Sequence, residues 1–454
     1  MSIKKNALAT VALTGIAVAV SSAYAAGFQL TEQSSLGLGR AYAGAGIVGD
    51  DLSAVHYNAA GMTLLPGTQM QAGSVFIEID GPFNNTQGQQ IENGRLKGQA
   101  IPAGYITHQV NDQLWLGLGM TVPYGMGTEY NQFWAGADHG NQSMIMTIDI
   151  NPNIAYKVSE KLSVGAGISL QYAKAELGQA PAEGLDSVVN GDSWAWGWNV
   201  GVMYEPSDTM RFGLAYRSNI AHDAEGDMKV SGPAAMALGV AGTYDDFKVR
   251  VRTPDTIMAT ATWEATPDLR LSGMVRWAKW SNLGKLHIQS SGVTNMTSKV
   301  AYVQAAQGLM DAMQAGDIPL MNEQELHAAA LQAASEHTTD TSTNTYEWED
   351  TWLFSIGADY RLNNEWTIRG GIAYETCAVE DNKLRPATIP DVDRLWLSVG
   401  ASYNYSKQIQ FDFGATYLKG VGNMDVYSAD GSRKIGEFDS IDSYILGAQV
   451  QYRF

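Results

Sequence analysis

Apolar and polar residues alternate with a period of two in segment after segment of this chain, and this restricts it to a β-rich fold. Residues 444–454 show the pattern clearly, with aromatic and aliphatic side chains at every second position and mostly polar or small ones between them. Residues 161–173 and 394–405 repeat it. Because successive side chains of a strand point to opposite faces, each strand has one apolar face and one polar or small face.

A barrel in a membrane explains such strands better than a soluble sandwich does. A sandwich buries its apolar faces against a second sheet, whereas a membrane barrel turns them toward lipid and keeps a polar lumen. We count about fourteen strands, an even number that leaves no exposed edge. They are predicted at residues 68–80, 97–109, 112–123, 143–158, 161–176, 192–205, 209–222, 245–264, 268–289, 344–361, 365–380, 392–406, 408–420 and 433–454.

The connections between these strands alternate between short turns and long loops. Outer-membrane barrels are built in this way, with short turns facing the periplasm and long loops outside. The fold is therefore predicted to be all-β, a transmembrane antiparallel barrel over residues 67–454. Long loops are predicted at residues 81–96, 124–142, 177–191, 223–244, 290–343, 381–391 and 421–432, and the loop 290–343 carries helical spacing and a capping box.

The amino-terminal residues 1–25 predict export. Lys4 and Lys5 precede an apolar run of about 14 residues, too short to cross a bilayer core of ~30 Å as a helix, and small residues at a cleavage site follow. The mature chain is predicted to begin at Ala26 and to reside in the outer membrane of a Gram-negative bacterium. The net charge is −18, and removal of the two lysines makes it −20, which argues against nucleic acid as a partner. A single cysteine, Cys377, excludes a disulfide within the chain.

Residues 26–66 are rich in glycine and alanine and do not have the alternation of strands. They either hang into the periplasm or fold into the lumen as a plug. A plug needs small residues for close backbone approach and polar groups that pair with the lumen wall, and this composition fits a plug better than a tail.

Residues 26–62, AGFQLTEQSSLGLGRAYAGAGIVGDDLSAVHYNAAGM, resemble the hatch of the FadL-type family of long-chain fatty acid transporters, which includes TodX-like transporters of aromatic hydrocarbons. Further similarity lies in VPYGMGTEYN (122–131), TPDT (253–256), WAKWSNL (277–283) and RPATIPDVDRLW (385–396). The resemblance covers the chain end to end. It implies a fourteen-stranded barrel whose lumen is closed by the hatch, and passive transport of hydrophobic molecules through an interior pocket and a lateral gap in the wall.

The resemblance also implies site residues. Phe28 is expected at the floor of the pocket, or as an aromatic anchor of the plug. The family's Asn-Pro-Ala motif beside the gap aligns with Asn58, Ala59 and Ala60, so its proline is absent here. The expected kink of the wall is at Pro123, Tyr124 and Gly125, where proline cannot donate to the sheet and glycine permits a bulge.

The charge of the cargo is left open by the sequence. Family members that bind fatty acids hold the carboxylate with basic side chains, but the corresponding stretches here offer only Lys174 and no base in residues 338–350. An unpaired carboxylate in an apolar pocket is costly, so Lys174, Arg217 or another lumen base serves, or the cargo is a neutral hydrocarbon. Trp194, Trp196 and Trp198 share a strand face and are candidates for the pocket lining or for a girdle at the lipid interface.

The sequence also bears on three other classes of function. A general porin needs an open lumen, against which residues 26–66 argue. For an outer-membrane enzyme, the sequence offers scattered histidines but no G-x-S-x-G and no H-E-x-x-H, so no catalytic residue, metal ligand or cofactor is assigned. A surface receptor or adhesin using the loop 290–343 is compatible with transport. The partners expected are the hydrophobic cargo, outer-membrane lipid and lipopolysaccharide, with a monomeric barrel and incidental phage binding.

Overall fold

The structure is a computed structural model that describes residues 27–86, 90–91, 98–130, 134, 136–137, 140–182, 184–335, 341–345, 347–379, 381–385, 388–428 and 431–454. The predicted signal peptide and Ala26 lie outside the described residues.

The described strands form one antiparallel sheet that closes on itself, because the first strand pairs with both the second and the last. The sheet has nineteen segments, and five strands consist of two segments each, so it contains fourteen strands. The prediction of a closed fourteen-stranded antiparallel barrel is confirmed. The strands are β1 Thr68–Asp80, β2 Gln99–Gln109, β3 Leu114–Thr121 and Gly125–Glu129, β4 Gln142–Ser159, β5 Leu162–Ala182, β6 Leu185–Ser207, β7 Met210–Arg217 and Ala221–Ser231, β8 Gly242–Arg252 and Thr256–Glu264, β9 Leu269–Ala278 and Lys285–Gln289, β10 Thr341–Thr345 and Thr351–Arg361, β11 Trp366–Glu375, β12 Asp393–Asn404, β13 Ile409–Val421 and β14 Asp442–Arg453.

Several predicted boundaries are wrong, most of them where strands extend beyond the membrane. The predicted loop 177–191 is the continuation of β5 and β6, and much of the predicted loop 223–244 belongs to β7 and β8. These segments stand beyond the membrane, where neither face needs an apolar stripe, so their sequence loses the alternation that marks a strand. Conversely, the predicted strand 433–454 is two elements, because Lys434–Phe438 leaves the barrel for a small external sheet.

The predicted helical pattern in the loop 290–343 corresponds to the helices Ser291–Ala315 and Glu323–Ser335. Short helices also occur at Ser35–Leu38, Ala54–Tyr57 and Pro233–Leu238, with 3-10 turns at Ala59–Leu64, Trp280–Asn282 and Asn382–Leu384. Of the helices in the described part of the chain, none combines the length and the apolarity that crossing a membrane requires. The small sheet contains Phe83–Asn85, Gln90–Ile91, Asp425–Tyr427 and Lys434–Phe438.

Residues 27–66, called the hatch below, lie inside the barrel and are almost entirely buried. The wall accommodates them through glycines on its inner face. A Cβ atom on Gly165 of β5 or on Gly371 of β11 would lie under 3.0 Å from backbone atoms of Ala59 and Arg40, respectively. Glycine is therefore required where the hatch backbone touches the wall, which is the close approach that only a residue without Cβ permits.

A buried charge network joins the base of the hatch to the wall. Arg40 lies 2.9 Å from Asp50 of the hatch and 3.3 Å from Asp359 of β10. Arg270 of β9 reaches Asp50 at 3.3 Å, and Arg369 of β11 reaches Asp359 at 2.9 Å. Removing one partner from a buried pair typically costs about 3–5 kcal/mol because the other charge is left uncompensated. The network therefore holds the base of the hatch against β9, β10 and β11.

Two adjacent glycines of β11 test the packing of the hatch. Gly371 faces the hatch, whereas a Cβ atom on Gly370 would meet its nearest neighbour, Ser398 O, at 3.7 Å. Gly371→Val is expected to push the backbone of Arg40 away from the wall, at a cost of about 1–3 kcal/mol for overpacking. Trypsin cleavage after Arg40, measured by mass spectrometry, is expected to become about ten times faster.

Gly370→Val is the matched control and is expected to leave cleavage after Arg40 at the wild-type rate. Folding of both variants is checked by the heat-dependent shift in gel mobility. Equal cleavage of Gly371→Val and Gly370→Val would show that the hatch is not held by contact with Gly371.

Candidate functional site

The third strand is interrupted at Val122–Tyr124, and the hatch pairs with its backbone there. Leu30 N donates to Pro123 O at 2.8 Å, and Gly125 N donates to Phe28 O at 3.0 Å. The side chain of Gln33 contacts both polar backbone groups of Val122, donating to its carbonyl oxygen at 2.7 Å and accepting from its N–H at 3.2 Å. A hatch segment thus supplies the hydrogen bonds that a neighbouring strand supplies elsewhere in the wall.

Beside this interruption, part of β2 is not paired with β3 through backbone hydrogen bonds. β2 pairs with β3 only from Gly104, opposite Met120, to Gln109, opposite Trp115. It continues to pair with β1 as far as Gln99. In the fully described stretch 98–130, residues 100–103 are therefore outside the register that pairs β2 with β3. Pro123 and Gly125 stand at the bend, where the sequence predicted a kink.

Phe28 lies in an aromatic cluster formed where strands bend into the lumen. Its ring contacts Trp280, at the break of β9, with 4.8 Å between ring centroids, and Trp348, at the break of β10, with 5.9 Å. Tyr124, at the break of β3, completes the cluster at 6.0 Å. All four side chains are buried. Trp280 and Trp348 were not foreseen from the sequence, because nothing in a strand pattern shows that a wall residue turns inward.

A pocket with a cavity volume of about 50 Å³ lies between the hatch and the wall and is bordered by Tyr124 of this cluster. It reaches the break of β3 on one side and the inner faces of β6, β7 and β8 on the other. Of the predicted site residues it brings together Asn58, Ala59, Pro123, Tyr124 and Arg217. Its lining is completed by Gln29, Leu30, Thr31, His56, Tyr57, Asn199, Val200, Ala215, Tyr216, Thr256, Met258 and Arg276.

Each basic side chain of the pocket already has a carboxylate partner. Arg217 donates to Asp149 at 3.2 Å and to the backbone oxygen of His56 at 2.9 Å. Arg276 donates to Glu375 at 2.8 Å and to the hydroxyl of Thr31 at the same distance. Since the charges are compensated, a carboxylate cargo has to compete with Asp149 for Arg217, while a neutral cargo does not.

The Asn-Ala-Ala segment of the hatch contacts the wall at β5 and β6. Asn58 donates to Val202 O of β6 at 3.1 Å and accepts from Ala60 N at 3.1 Å, which caps the turn that follows. Ala59 and Ala60 pack against Gly165 of β5. Asn58 and Ala59 border the pocket, but hydrogen bonds to the interrupted strand come from residues 28–33 of the hatch. Gln33, which no sequence pattern indicates, contacts Val122 of that strand through two hydrogen bonds.

Four predicted cargo-binding residues are on the wrong side of the wall. Trp194, Trp196 and Trp198 are 59%, 71% and 43% exposed, on the outward face that also carries Val200 and Val202. Lys174 is exposed on the outward face of β5, in register with Asp192. These side chains therefore do not line the pocket, because a side chain separated by an even number of positions from outward-facing residues faces outward too. For the three tryptophans this orientation fits the other role that the sequence allowed, a girdle at the lipid interface.

One contact outside the pocket has the composition of a catalytic pair. Ser193 Oγ lies 2.9 Å from His222 Nδ1, and the other ring nitrogen of His222 lies 3.0 Å from the amide oxygen of Gln171. A triad needs a carboxylate at this third position to stabilise the imidazolium ion, and a neutral amide does not do so. In the described part of the chain no group of three or more His, Cys, Asp or Glu residues is arranged to hold a metal.

Glu32 is a buried carboxyl group of the hatch whose two oxygens have no hydrogen-bond partner among the described residues. Burial, and then the nearby Glu375, raise its pKa to about 7. Arg394 and Arg276 oppose this shift, but less strongly. Glu32 therefore changes charge within the physiological range of pH, next to Gln33.

A closed barrel with a filled lumen, an apolar outward face and one interrupted wall contact defines a class of outer-membrane protein in which cargo does not follow a straight aqueous pore. Comparison with known families agrees with this class. Residues 16–454 match the family described as outer membrane protein transport protein (OMPP1/FadL/TodX). The chain belongs to this family and is an outer-membrane protein.

Individual proteins are similar over the whole length of the chain. The long-chain fatty acid transport protein of Escherichia coli O6:H1 is 29% identical over 489 aligned residues, which cover 99% of this chain and 98% of that protein. The crystal structure of a Pseudomonas aeruginosa FadL homologue has a TM-score of 0.76 at 20% identity and covers 94% of this chain and 100% of its own. The structure of the Pseudomonas putida toluene transporter TodX has a TM-score of 0.65 at 15% identity, covering 95% and 100%. At these identities the two structures support the fold alone.

The contact of Gln33 with Val122 yields a prediction. Gln33→Leu leaves both backbone groups of Val122 without the side chain that pairs them, at about 1–3 kcal/mol for each buried group that stays unpaired. Hydrogen exchange of peptides covering residues 120–126 is expected to become at least ten times faster. Gln71→Leu is the control, because Gln71 accepts a hydrogen bond from Leu52 N of the hatch and contacts neither backbone group of Val122. Equal acceleration by both substitutions would contradict the assignment.

The raised pKa of Glu32 predicts a dependence of hatch stability on pH. The folded hatch favours the protonated form, so stability is full below a pH of about 4.5 and is lost as the pH rises through about 7. The loss amounts to about 3 kcal/mol at most, since one pKa unit corresponds to about 1.4 kcal/mol. Glu32→Gln is expected to remove this dependence, measured by hydrogen exchange of the hatch at pH 5.0 and 7.5 after correction for the intrinsic rate. A variant with the wild-type dependence would assign it to another group.

Proposed function

We propose that this protein carries hydrophobic small molecules across the outer membrane by passive diffusion, with long-chain fatty acids as its main cargo. The observation that carries the proposal is the position of the interior pocket, which lies between the hatch and the one wall contact where a hatch segment replaces strand pairing. Family membership and the similarity to a long-chain fatty acid transport protein support it.

The proposed route has three stages. Cargo enters from the extracellular side, passes the aromatic cluster around Phe28 and occupies the pocket. It then leaves sideways between β2 and β3 into the outer leaflet. This route suits an apolar molecule, because it passes from one apolar environment to another and never has to cross a long aqueous pore. No energy source other than the concentration gradient of the cargo is required.

The geometry couples the pocket entrance to the wall. Phe28 and Leu30 are the two hatch residues whose backbones pair with the break of β3, and the ring of Phe28 is part of the aromatic cluster. A molecule that displaces this ring therefore also pulls on the hydrogen bonds to Pro123 and Gly125. We propose Phe28 as a cargo-binding residue and Asn58, Ala59, Ala60, Pro123, Tyr124 and Gly125 as the gate.

For a fatty acid, we propose Arg217 as the partner of the carboxylate. It is the basic side chain that borders the pocket from β7, and its side chain is partly exposed there. Binding would shift Arg217 from Asp149 toward the cargo. Burial of the hydrocarbon chain supplies the rest of the affinity, at about 0.8 kcal/mol for each methylene group.

Neutral hydrocarbons are the second candidate cargo. The specific observation in their favour is that Arg217 and Arg276 are already paired with carboxylates, so that the pocket is electrostatically complete without a charged ligand. The similarity in fold to a toluene transporter is compatible with this reading.

We further propose that the protein is not an enzyme and works as a single barrel. The family comprises transport proteins, and the pair Ser193–His222 has no carboxylate to complete it. A closed barrel leaves no sheet edge that a second copy would have to cover. A role of the outer helices as a phage or adhesion receptor is compatible with transport.

Uptake of oleate and of its neutral methyl ester separates the two cargo classes. The double variant Arg217→Gln with Asp149→Asn removes both charges of the buried pair, and no buried ion is left uncompensated. If Arg217 binds the carboxylate, oleate uptake by cells without their own transporter is expected to fall at least tenfold, while methyl oleate uptake stays the same. Unchanged oleate uptake by this variant would show that Arg217 is not the partner of the carboxylate, whereas uptake of methyl oleate without oleate by the wild type would favour neutral hydrocarbons.

Two single variants complete the experiment. Phe28→Ala is expected to reduce uptake of both molecules, because it removes the ring that joins the aromatic cluster to the strand break. Lys174→Gln is the matched charge control on the outward face and is expected to leave uptake unchanged. If neither oleate, methyl oleate nor toluene enters cells that carry the wild-type protein, the transport proposal fails for these cargo classes.

A further inference from the structure

The outward face of β5 to β9 changes from apolar to aromatic to charged at one height. On β5, Ile168 and Leu170 are followed on the same face by Tyr172 and then by the exposed Lys174. On β6, Val202 and Val200 are followed by Trp198, Trp196 and Trp194. Since tryptophan and tyrosine concentrate at the level of the lipid headgroups, this transition marks the outer interface of the membrane.

Charged residues form rows across the strands above this level. Lys174, Asp192, Glu225 and Lys248 are successive cross-strand partners on β5, β6, β7 and β8. One step closer to the membrane, Arg250 of β8 stands opposite Asp223 of β7. A further step down, Arg252 stands opposite Ala221. Ion pairs join Lys248 to Glu225 at 3.1 Å and Arg250 to Asp223 at 3.3 Å.

The patch is basic although the chain is strongly acidic. Besides Lys174, Lys248 and Arg250, it contains Arg252, Lys279 and Lys285, which are exposed on the outer side of β8 and β9. Six bases thus lie among four acids, Asp192, Asp223, Glu225 and Asp255, and Glu176 and Asp246 lie on the next row away from the membrane, in a chain with 29 bases and 47 acids. Across the described residues, no ion pair involves Arg252, Lys279 or Lys285. The positive charge is therefore concentrated near the membrane at Arg250, Arg252 and Lys285, of which only Arg250 has an ion-pair partner among the described residues.

We infer that this surface is a docking site for the phosphorylated glycolipid of the outer leaflet, lipopolysaccharide, whose phosphates bind at Arg250, Arg252 and Lys285. Arginine suits phosphate because its planar guanidinium group offers two parallel hydrogen-bond donors. Trp194 and Trp196, the most exposed residues of the tryptophan row, border the same site. They contact the lipid at the boundary between sugar and acyl chains, where rings with an apolar body and a polar edge are most stable.

The site is separate from the transport pocket. Its side chains point outward, whereas the pocket is lined by the hatch and by the inner faces of the same strands. The inference therefore stands or falls independently of the cargo.

Native mass spectrometry of the full-length, delipidated protein in mild detergent tests the inference, with bisphosphorylated lipid A as the probe. The variant Arg250→Gln, Arg252→Gln, Lys285→Gln is expected to bind lipid A at least tenfold more weakly than the wild type. Dephosphorylated lipid A is expected to bind the wild type as weakly as lipid A binds this variant. The control variant Lys161→Gln, Arg361→Gln, Lys407→Gln removes the same number of exposed charges from the opposite rim of the barrel and is expected to bind like the wild type.

Two outcomes would overturn the inference. The first is equal loss of lipid A binding in both triple variants, which would show attraction by net charge without a site. The second is competition by phosphatidylglycerol as effective as that by lipid A, which would show binding of any anionic lipid. The heat-dependent shift in gel mobility confirms that each variant forms the barrel.

Discussion

A barrel in a membrane has to pair its backbone groups within itself, and the structure depends on how the third strand meets this requirement. Between Val122 and Gly125, Phe28, Leu30 and Gln33 of the hatch pair with Val122, Pro123 and Gly125, while Thr147 of β4 pairs with Tyr124. Unpaired peptide groups in hydrocarbon cost several kcal/mol each, so a wall can be interrupted only where something else supplies hydrogen bonds. The opening in the wall and the filling of the lumen are therefore one feature, since the segment that closes the lumen also pairs the bent strand.

The number and order of the strands follow from the sequence because lipid imposes an alternation on every segment that crosses the membrane. The same alternation predicts that Trp194, Trp196 and Trp198 face outward. Their intervening neighbours, Ala195 and Gly197, are small, as expected for an inner face that contacts other protein segments. The three tryptophans are separated by even numbers of positions from Val200 and Val202, so they share the outward face of the strand. This argument is stronger than the suitability of three tryptophans as a pocket lining. Lys174 lies four positions after Leu170 and therefore faces outward as well.

Other features could not be read from any periodic pattern. Trp280 and Trp348 lie in breaks of β9 and β10, and whether they turn inward depends on Phe28, more than 200 residues earlier in the chain. Gln33 has an ordinary composition and spacing, and its role arises only from a contact with Val122. The outer parts of β5, β6 and β7 leave the membrane and lose the alternation, so the sequence suggests loops where hydrogen bonds continue. Contacts distant in sequence set these features, and a single sequence does not show them.

The free-energy costs of displacing the two ends of the hatch decide how a route through the pocket can open. Ejecting the whole hatch would separate Arg40 from Asp359 and Arg270 from Asp50, leaving Asp359 with Arg369 and Arg270 with Glu264 in the wall. It would also strip the hatch backbone from the glycine face of the wall. Moving only residues 28–30 breaks two backbone hydrogen bonds, at about 1 kcal/mol each, and separates aromatic rings whose place a hydrophobic cargo can take. Local displacement of the amino-terminal end is therefore much less costly than ejection, and it acts on the strand beside the open edge of the wall.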